Sequence, residues 1–251
     1  MKDETDHEDN PRRGFLKRVA VATGSIPLAH GLVGGAAVGA VVGPAHAAAA
    51  TKSPVADVAG YTSLSPAEAA FTEAMVNVMC PADSFTPSGV DCGLAIYIDR
   101  QLAGSFGKGA KRYLRGPWAL GKPQHGYQLP LTPEQYFKAG LAGVNQTSVL
   151  RIGRRFDQLT PVQANAFLID LSSGKITDAE LDLASWFNGL VYPLFEQACF
   201  ADPIYGGNRD KVFWSAIGYP GLPATNTINM VRFRGKPFPG ARTPKSITDL
   251  S

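Results

Sequence analysis

A chain of 251 residues with 45% hydrophobic residues is long enough for one domain with a sizeable core. A net charge of +3, with no dense run of cations, excludes the electrostatic footprint of a nucleic-acid binder. The 27 glycines and 19 prolines place many residues in irregular segments.

The N-terminal stretch stands apart. Residues 1–10 are acidic and polar, and Arg12-Arg13 with Phe15, Leu16 and Lys17 follows in the pattern of a twin-arginine export signal. Pro11 occupies a position where Ser or Thr is common. No Asp, Glu, Lys or Arg occurs from Val19 to Thr51, and Ala45-His46-Ala47 is a small-x-small cleavage signature. Residues 1–47 are therefore expected to be a signal peptide and 48–63 a polar linker. The alternative is an uncleaved membrane anchor, since the apolar run is long enough to span. Against it stand the glycines, Pro27 and Pro44. Cleavage after Ala47 removes as many acidic as basic residues, so the charge balance of the mature chain is unchanged.

The remainder reads as an all-α domain of five to six capped helices with long Gly/Pro-rich loops. Ser65-Pro66-Ala67-Glu68 is a capping box with proline at the first helical position, and Ala70, Phe71, Ala74, Met75, Val78 and Met79 form a helical stripe. Residues 81–89 are a loop by composition. Leu94, Ile98 and Leu102 mark a second helix over 90–103. Residues 104–131 are a glycine- and proline-rich excursion in which Tyr113, Trp118 and Tyr127 argue against simple disorder. Thr132-Pro133-Glu134-Gln135 starts a helix to about Phe156, and Thr160-Pro161-Val162-Gln163 starts one to about Ser172. Thr177-Asp178-Ala179-Glu180 is read as the start of a long helix towards Cys199, kinked at Pro193. Residues 222–251 lack helical periodicity and are expected to form an extended C-terminal arm, with Arg232, Arg234, Lys236, Arg242 and Lys245 alternating with Pro and Phe.

Catalytic motifs are scarce. Beyond residue 47 the sole histidine is His125, so a His-rich zinc or haem site is not expected. No C-x-x-C-H, G-x-S-x-G or Walker loop occurs. Gly107-Lys108-Gly109 lacks the third glycine of a dinucleotide loop, where Arg112 stands. The expectation is no catalytic residue, cofactor site or metal site on this chain. Cys80, Cys92 and Cys199 are an odd set. Cys80 and Cys92 sit at facing helix ends and are candidates for an intrachain disulfide. Cys199 is then free or bonded to another chain, while three buried thiols are the alternative.

The least interchangeable stretch is Phe195 to Gly221, FEQACFADPIYGGNRDKVFWSAIGYPG. Asp202-Pro203 opens a turn, Gly206-Gly207 is free to take positive φ, and Asn208 reads as the N-cap of a helix through Val212, Phe213, Ala216 and Ile217. Gly218 and Pro220 stop that helix. This stretch is either a well-built structural corner or a docking loop whose anchors are of the interface type.

The twin-arginine leader, the all-α body and FADPIYGGNRD followed by IGYPG together resemble the gluconate 2-dehydrogenase subunit 3 family, from about Leu64 to the end. The likeness is most specific at Asp202, Pro203, Tyr205, Gly206, Gly207, Asn208, Arg209 and Asp210, then at Trp214 and Gly218 to Gly221. Ser246-Ile247 resembles the family's ending. The resemblance implies a non-catalytic small subunit of a periplasmic, membrane-associated dehydrogenase complex. Its partners would be a glucose-methanol-choline-type flavoprotein carrying FAD, a multihaem cytochrome c carrying haem c, and the twin-arginine translocase during export. The small subunit would escort and stabilise the flavoprotein, which typically has no export signal of its own. On that reading Asp202, Tyr205, Asn208, Arg209 and Trp214 form the partner interface, and Cys199 is placed for an intersubunit disulfide. Two other readings are a self-sufficient periplasmic enzyme using Asp202, Arg209 and His125, and a sugar-binding module stacking on Trp118, Tyr205 and Trp214.

Overall fold

The structure, a computed structural model, describes residues 60–119, 121–122, 125–222 and 226–249. The export signal, the cleavage signature and most of the linker lie outside the described residues. The described residues are all-helical with no strand, and one isolated bridge joins Gly221 and Lys245. Among them no helix is long and apolar enough to cross a membrane.

Three helices start as their capping boxes dictate. Helix α1 spans Pro66–Met79, α3 spans Pro133–Ile152 and α4 spans Pro161–Ser172. In each, the Ser or Thr side chain accepts from the third helical amide while the Glu or Gln reaches back to the cap. Helix α2, Leu94–Ala103, begins four residues later than its periodicity suggests, because Gly93 enters it in the left-handed region at φ 77°. Helix α3 stops at Ile152, short of the expected Phe156, because Gly153 takes φ 80°. Phe156 then lies in a short 3₁₀ turn, Phe156–Gln158.

The helix expected from Thr177 begins later. The Asp178 carboxylate accepts from the Glu180 and Leu181 amides, which folds the backbone into a turn. Asp182 is the real cap, accepting from Ser185 N at 3.0 Å, and α5 spans Leu183–Trp186. A π turn, Phe187–Val191, joins it to α6, Tyr192–Phe200. The Tyr192 amide bonds back five residues to the Phe187 carbonyl. Pro193 has no amide to offer the ladder, so the irregularity at this proline is a π widening.

These helices enclose one aromatic core. Phe71 and Phe156 meet at 4.9 Å, Phe156 and Phe167 at 5.9 Å, and Phe137 and Trp186 at 6.0 Å between ring centroids. Trp186 is fully buried against α3 at Gly140, where an added Cβ would lie 2.2 Å from the indole. Tertiary packing demands this glycine inside a helix, against its poor helix propensity. Two polar clamps fix the chain entering α1. The buried Asp99 carboxylate accepts from the amides of Thr62, Ser63 and Leu64 at 2.8, 2.8 and 2.9 Å. Glu134 accepts from Ser63 Oγ at 2.7 Å and pairs with Lys108 and Lys138.

Gly140→Ala should destabilise the fold by about 2 kcal/mol through overpacking, read as a lower urea midpoint at unchanged slope. Stability equal to the parent would show that the indole can move aside.

Candidate functional site

The stretch from Phe195 to Gly221 folds as a compact knot on the end of the helical core. Pro203–Tyr205 and Arg209–Lys211 are 3₁₀ turns, followed by α7, Val212–Ile217. Gly206 takes φ 104°, a left-handed conformation that glycine favours. Gly207 is needed for a different reason: a Cβ there would lie 2.3 Å from the Ala198 carbonyl oxygen. Gly93 likewise leaves room for the Gly206 carbonyl, and the Arg209 amide donates to the Cys92 carbonyl at 3.0 Å. The knot is thus joined directly to the N-terminus of α2.

Two buried side chains hold it. Asp202 is 7% exposed. Its Oδ1 accepts from the Ile204 amide at 3.0 Å and its Oδ2 from the Ile247 amide at 2.9 Å. Asn208 is fully buried in the left-handed region. Its Nδ2 donates to the Ala201 carbonyl at 3.1 Å and its Oδ1 accepts from the Phe213 amide at 3.0 Å. Asn208 is therefore not the N-cap of α7: Lys211 holds that position with no side-chain cap bond, and Asn208 reaches the Phe213 amide from five residues away because Asp210 and Lys211 also take left-handed backbone. Trp214 is 3% exposed and its indole N–H donates to the Phe200 carbonyl at 2.8 Å. It faces inward in place of the expected stripe, of which Ala216 and Ile217 are exposed.

The five expected interface residues thus divide. Asp202, Asn208 and Trp214 lie inside the chain and shape the knot. Tyr205 is 51% exposed, and Arg209 is half-buried at the seam with α2. Around Tyr205 in sequence, Phe200, Ile204, Ile217 and Leu222 are also exposed.

The C-terminal segment does not simply trail away. It includes helix α8, Asn226–Arg232, and then returns: Gly221 and Lys245 pair, and a Cβ on Gly221 would lie 1.9 Å from the Lys245 carbonyl oxygen. Ser246 is buried, and Lys211 Nζ meets Asp249 Oδ2 at 2.7 Å. The hydrogen bond from Lys211, followed by those from the Ser246 amide and hydroxyl, holds the Asp249 carboxyl well below the usual carboxylate range. This neck was not foreseen; its local signal is Ser246 three residues before Asp249, the spacing of a side-chain-closed turn.

Cys80, Cys92 and Cys199 are buried free thiols. Cys80 and Cys92 both donate to the Pro87 carbonyl, at 3.7 and 3.6 Å. Burial, then the neighbouring Cys80, pushes the Cys92 thiol up to about 11. Burial, then Cys80 and Cys92, pushes Cys199 up to about 12. Of the two alternatives, a Cys80–Cys92 pair or three buried thiols, the structure presents the second. Cys199 is only 5% exposed, so the expected bond to another chain requires this end of α6 to leave the core.

The other chemical candidates do not converge. His125 and the half-buried Trp118 line a shallow pocket with Arg112, Arg115 and Gln128, which includes neither Asp202, Arg209, Tyr205 nor Trp214. Among the described residues, no group of three or more His, Cys, Asp or Glu is arranged to hold a metal. In the comparisons, the family model described as gluconate 2-dehydrogenase subunit 3 matches residues 66–221, which takes in α1 through the knot. No curated protein and no solved structure matches the chain.

Asp202→Ala leaves two amides without their acceptor and should cost about 2 kcal/mol, with faster hydrogen exchange at both Ile204 and Ile247. Exchange that rises at Ile204 alone would show that the neck stands without Asp202. The Asp249 contact has a defined pH sense. Its folded carboxyl titrates below the ordinary value of about 3.9, so its contribution is complete above about pH 5 and is lost as pH falls through the folded value. Protection of the Ser246 amide, corrected for intrinsic exchange, should be flat from about pH 5 to 8 and fall in more acid solution. In Lys211→Met that fall should begin at higher pH.

Proposed function

The chain belongs to the gluconate 2-dehydrogenase subunit 3 family, and from that premise we propose that it is the accessory small subunit that grips and exports the flavoprotein of a sugar-acid dehydrogenase. The observation that carries this reading is the division within the knot. Buried Asp202, Asn208 and Trp214 fix its backbone, while Tyr205 and Ile204 stand exposed on it, 51% and 45% accessible. A surface whose apolar groups are held in place before contact loses less ordering entropy on binding. Tyrosine and arginine are also the residue types that dominate interface energetics.

On this reading the chain carries no catalytic group. FAD sits on a glucose-methanol-choline-type partner and haem c on a multihaem cytochrome c that passes electrons onward. The folded flavoprotein leaves the cytoplasm with this chain through the twin-arginine signal at Arg12 and Arg13, and the complex works in the periplasm at the membrane. Gluconate is the default substrate by family.

Co-expression with the flavoprotein tests both halves. Ile204→Asp with Tyr205→Ala should weaken co-purification by about 30-fold, the equivalent of about 2 kcal/mol, while the helical circular dichroism is kept. Arg12→Lys with Arg13→Lys should leave the complex intact but hold it in the cytoplasm. An exported, active flavoprotein in the presence of that second variant would refute the escort role.

A further inference from the structure

Residues 226–244 form an excursion pinned at its base, with most of its residues exposed and only Pro244 buried. The base is the Gly221–Lys245 pairing, with the Leu222 amide on the Lys245 carbonyl and the Lys245 amide on the Pro220 carbonyl, at 2.9 and 3.0 Å. Asp202 and Lys211 fasten the chain just beyond it. Helix α8 contributes no buried residue: Ile228, Met230 and Val231 are 65%, 75% and 77% exposed. A fold that invests buried carboxylate and glycine geometry in the neck holds this apolar helix out in solvent.

The charge around those side chains has one sign. From Leu222 to Thr248 the sequence contains no Asp or Glu, and Arg232, Arg234, Lys236, Arg242 and Lys245 are all exposed. Among the described residues none of these five is in an ion pair. Phe233 and Phe238 meet in a tilted pair at 5.1 Å between centroids and draw the cationic turn between them back on itself, next to the helix. An acidic protein surface would need carboxylates placed to match each cation. An anionic bilayer offers negative headgroups at any position and takes the three aliphatic side chains into the acyl boundary beneath them.

We propose that residues 226–244 are a peripheral membrane-binding loop that seats Ile228, Met230 and Val231 in an anionic lipid surface, with Arg232, Arg234 and Lys236 on the headgroups. This goes beyond subunit assembly: it gives the small subunit its own contact with the bilayer.

The test uses the full chain with Met230→Cys labelled by an environment-sensitive fluorophore, so that the signal comes from the loop and not from the apolar N-terminal stretch. The three native thiols are buried, and the same labelling on the parent chain supplies the background. Vesicles of phosphatidylglycerol and phosphatidylcholine in equal parts should blue-shift the label, and pure phosphatidylcholine should not. Arg232→Gln, Arg234→Gln and Lys236→Gln together should raise the lipid concentration at half-shift at least tenfold, as should raised salt. No shift with the anionic vesicles, or a shift that the triple variant leaves unchanged, overturns the proposal. So does a shift produced by the flavoprotein partner and not by lipid.

Discussion

Irregular backbone buried against helices must find hydrogen-bond partners, and Asp99, Asp202 and Asn208 are three of the side chains that supply them here. Asp99 takes three successive amides where the chain enters α1. Asp202 takes one amide beside it and one 45 residues away. Asn208 bridges a carbonyl and an amide on either side of a left-handed turn. Without these partners each segment would have to rise to solvent, and the apolar contacts beneath would be lost.

Glycine supplies the complementary condition of close approach. Gly140 admits the Trp186 indole, Gly207 lies on the Ala198 carbonyl and Gly221 on that of Lys245. At Gly140 and Gly207 the need is for space, not for an unusual φ. A methyl group at Gly207 or Gly221 would separate surfaces that Asp202 and Asn208 are placed to join, and one at Gly140 would displace the Trp186 indole. The polar clamps and the missing side chains therefore act together, which explains why Asp202 and Asn208 stand so close in sequence to Gly206 and Gly207.

The knot's residues divide into those that shape the surface and those that present it. Asp202, Asn208 and Trp214 face inward, and their chemistry is already committed to backbone groups of this chain. Tyr205 and Ile204 are what a neighbouring molecule would meet. The same carboxylate that orders the knot also ties down Ile247, so the exposed face near Tyr205 and the base of the basic loop share one anchor. Any change at Asp202 acts on both.

Much of the fold was legible in the chain alone, because capping is local chemistry. Ser65, Thr132 and Thr160, each followed by Pro and then Glu or Gln three residues on, fixed the starts of α1, α3 and α4. Where the same pattern misled, at Thr177, the side chain of Asp178 had closed a turn first, and Asp182 made the cap. The family-like loop was also visible as a run of residue types. What each type does there was not: Asp202 and Asn208 read equally well as contact residues until the tertiary structure buried them. The clamp at Asp99 and the neck at Gly221 and Lys245 depend on partners far away in sequence, and no local pattern encodes a partner's position. Sequence by itself determined where the helices begin and which residues are special; only tertiary packing decided which of those face inward, because burial depends on what the rest of the chain brings against them.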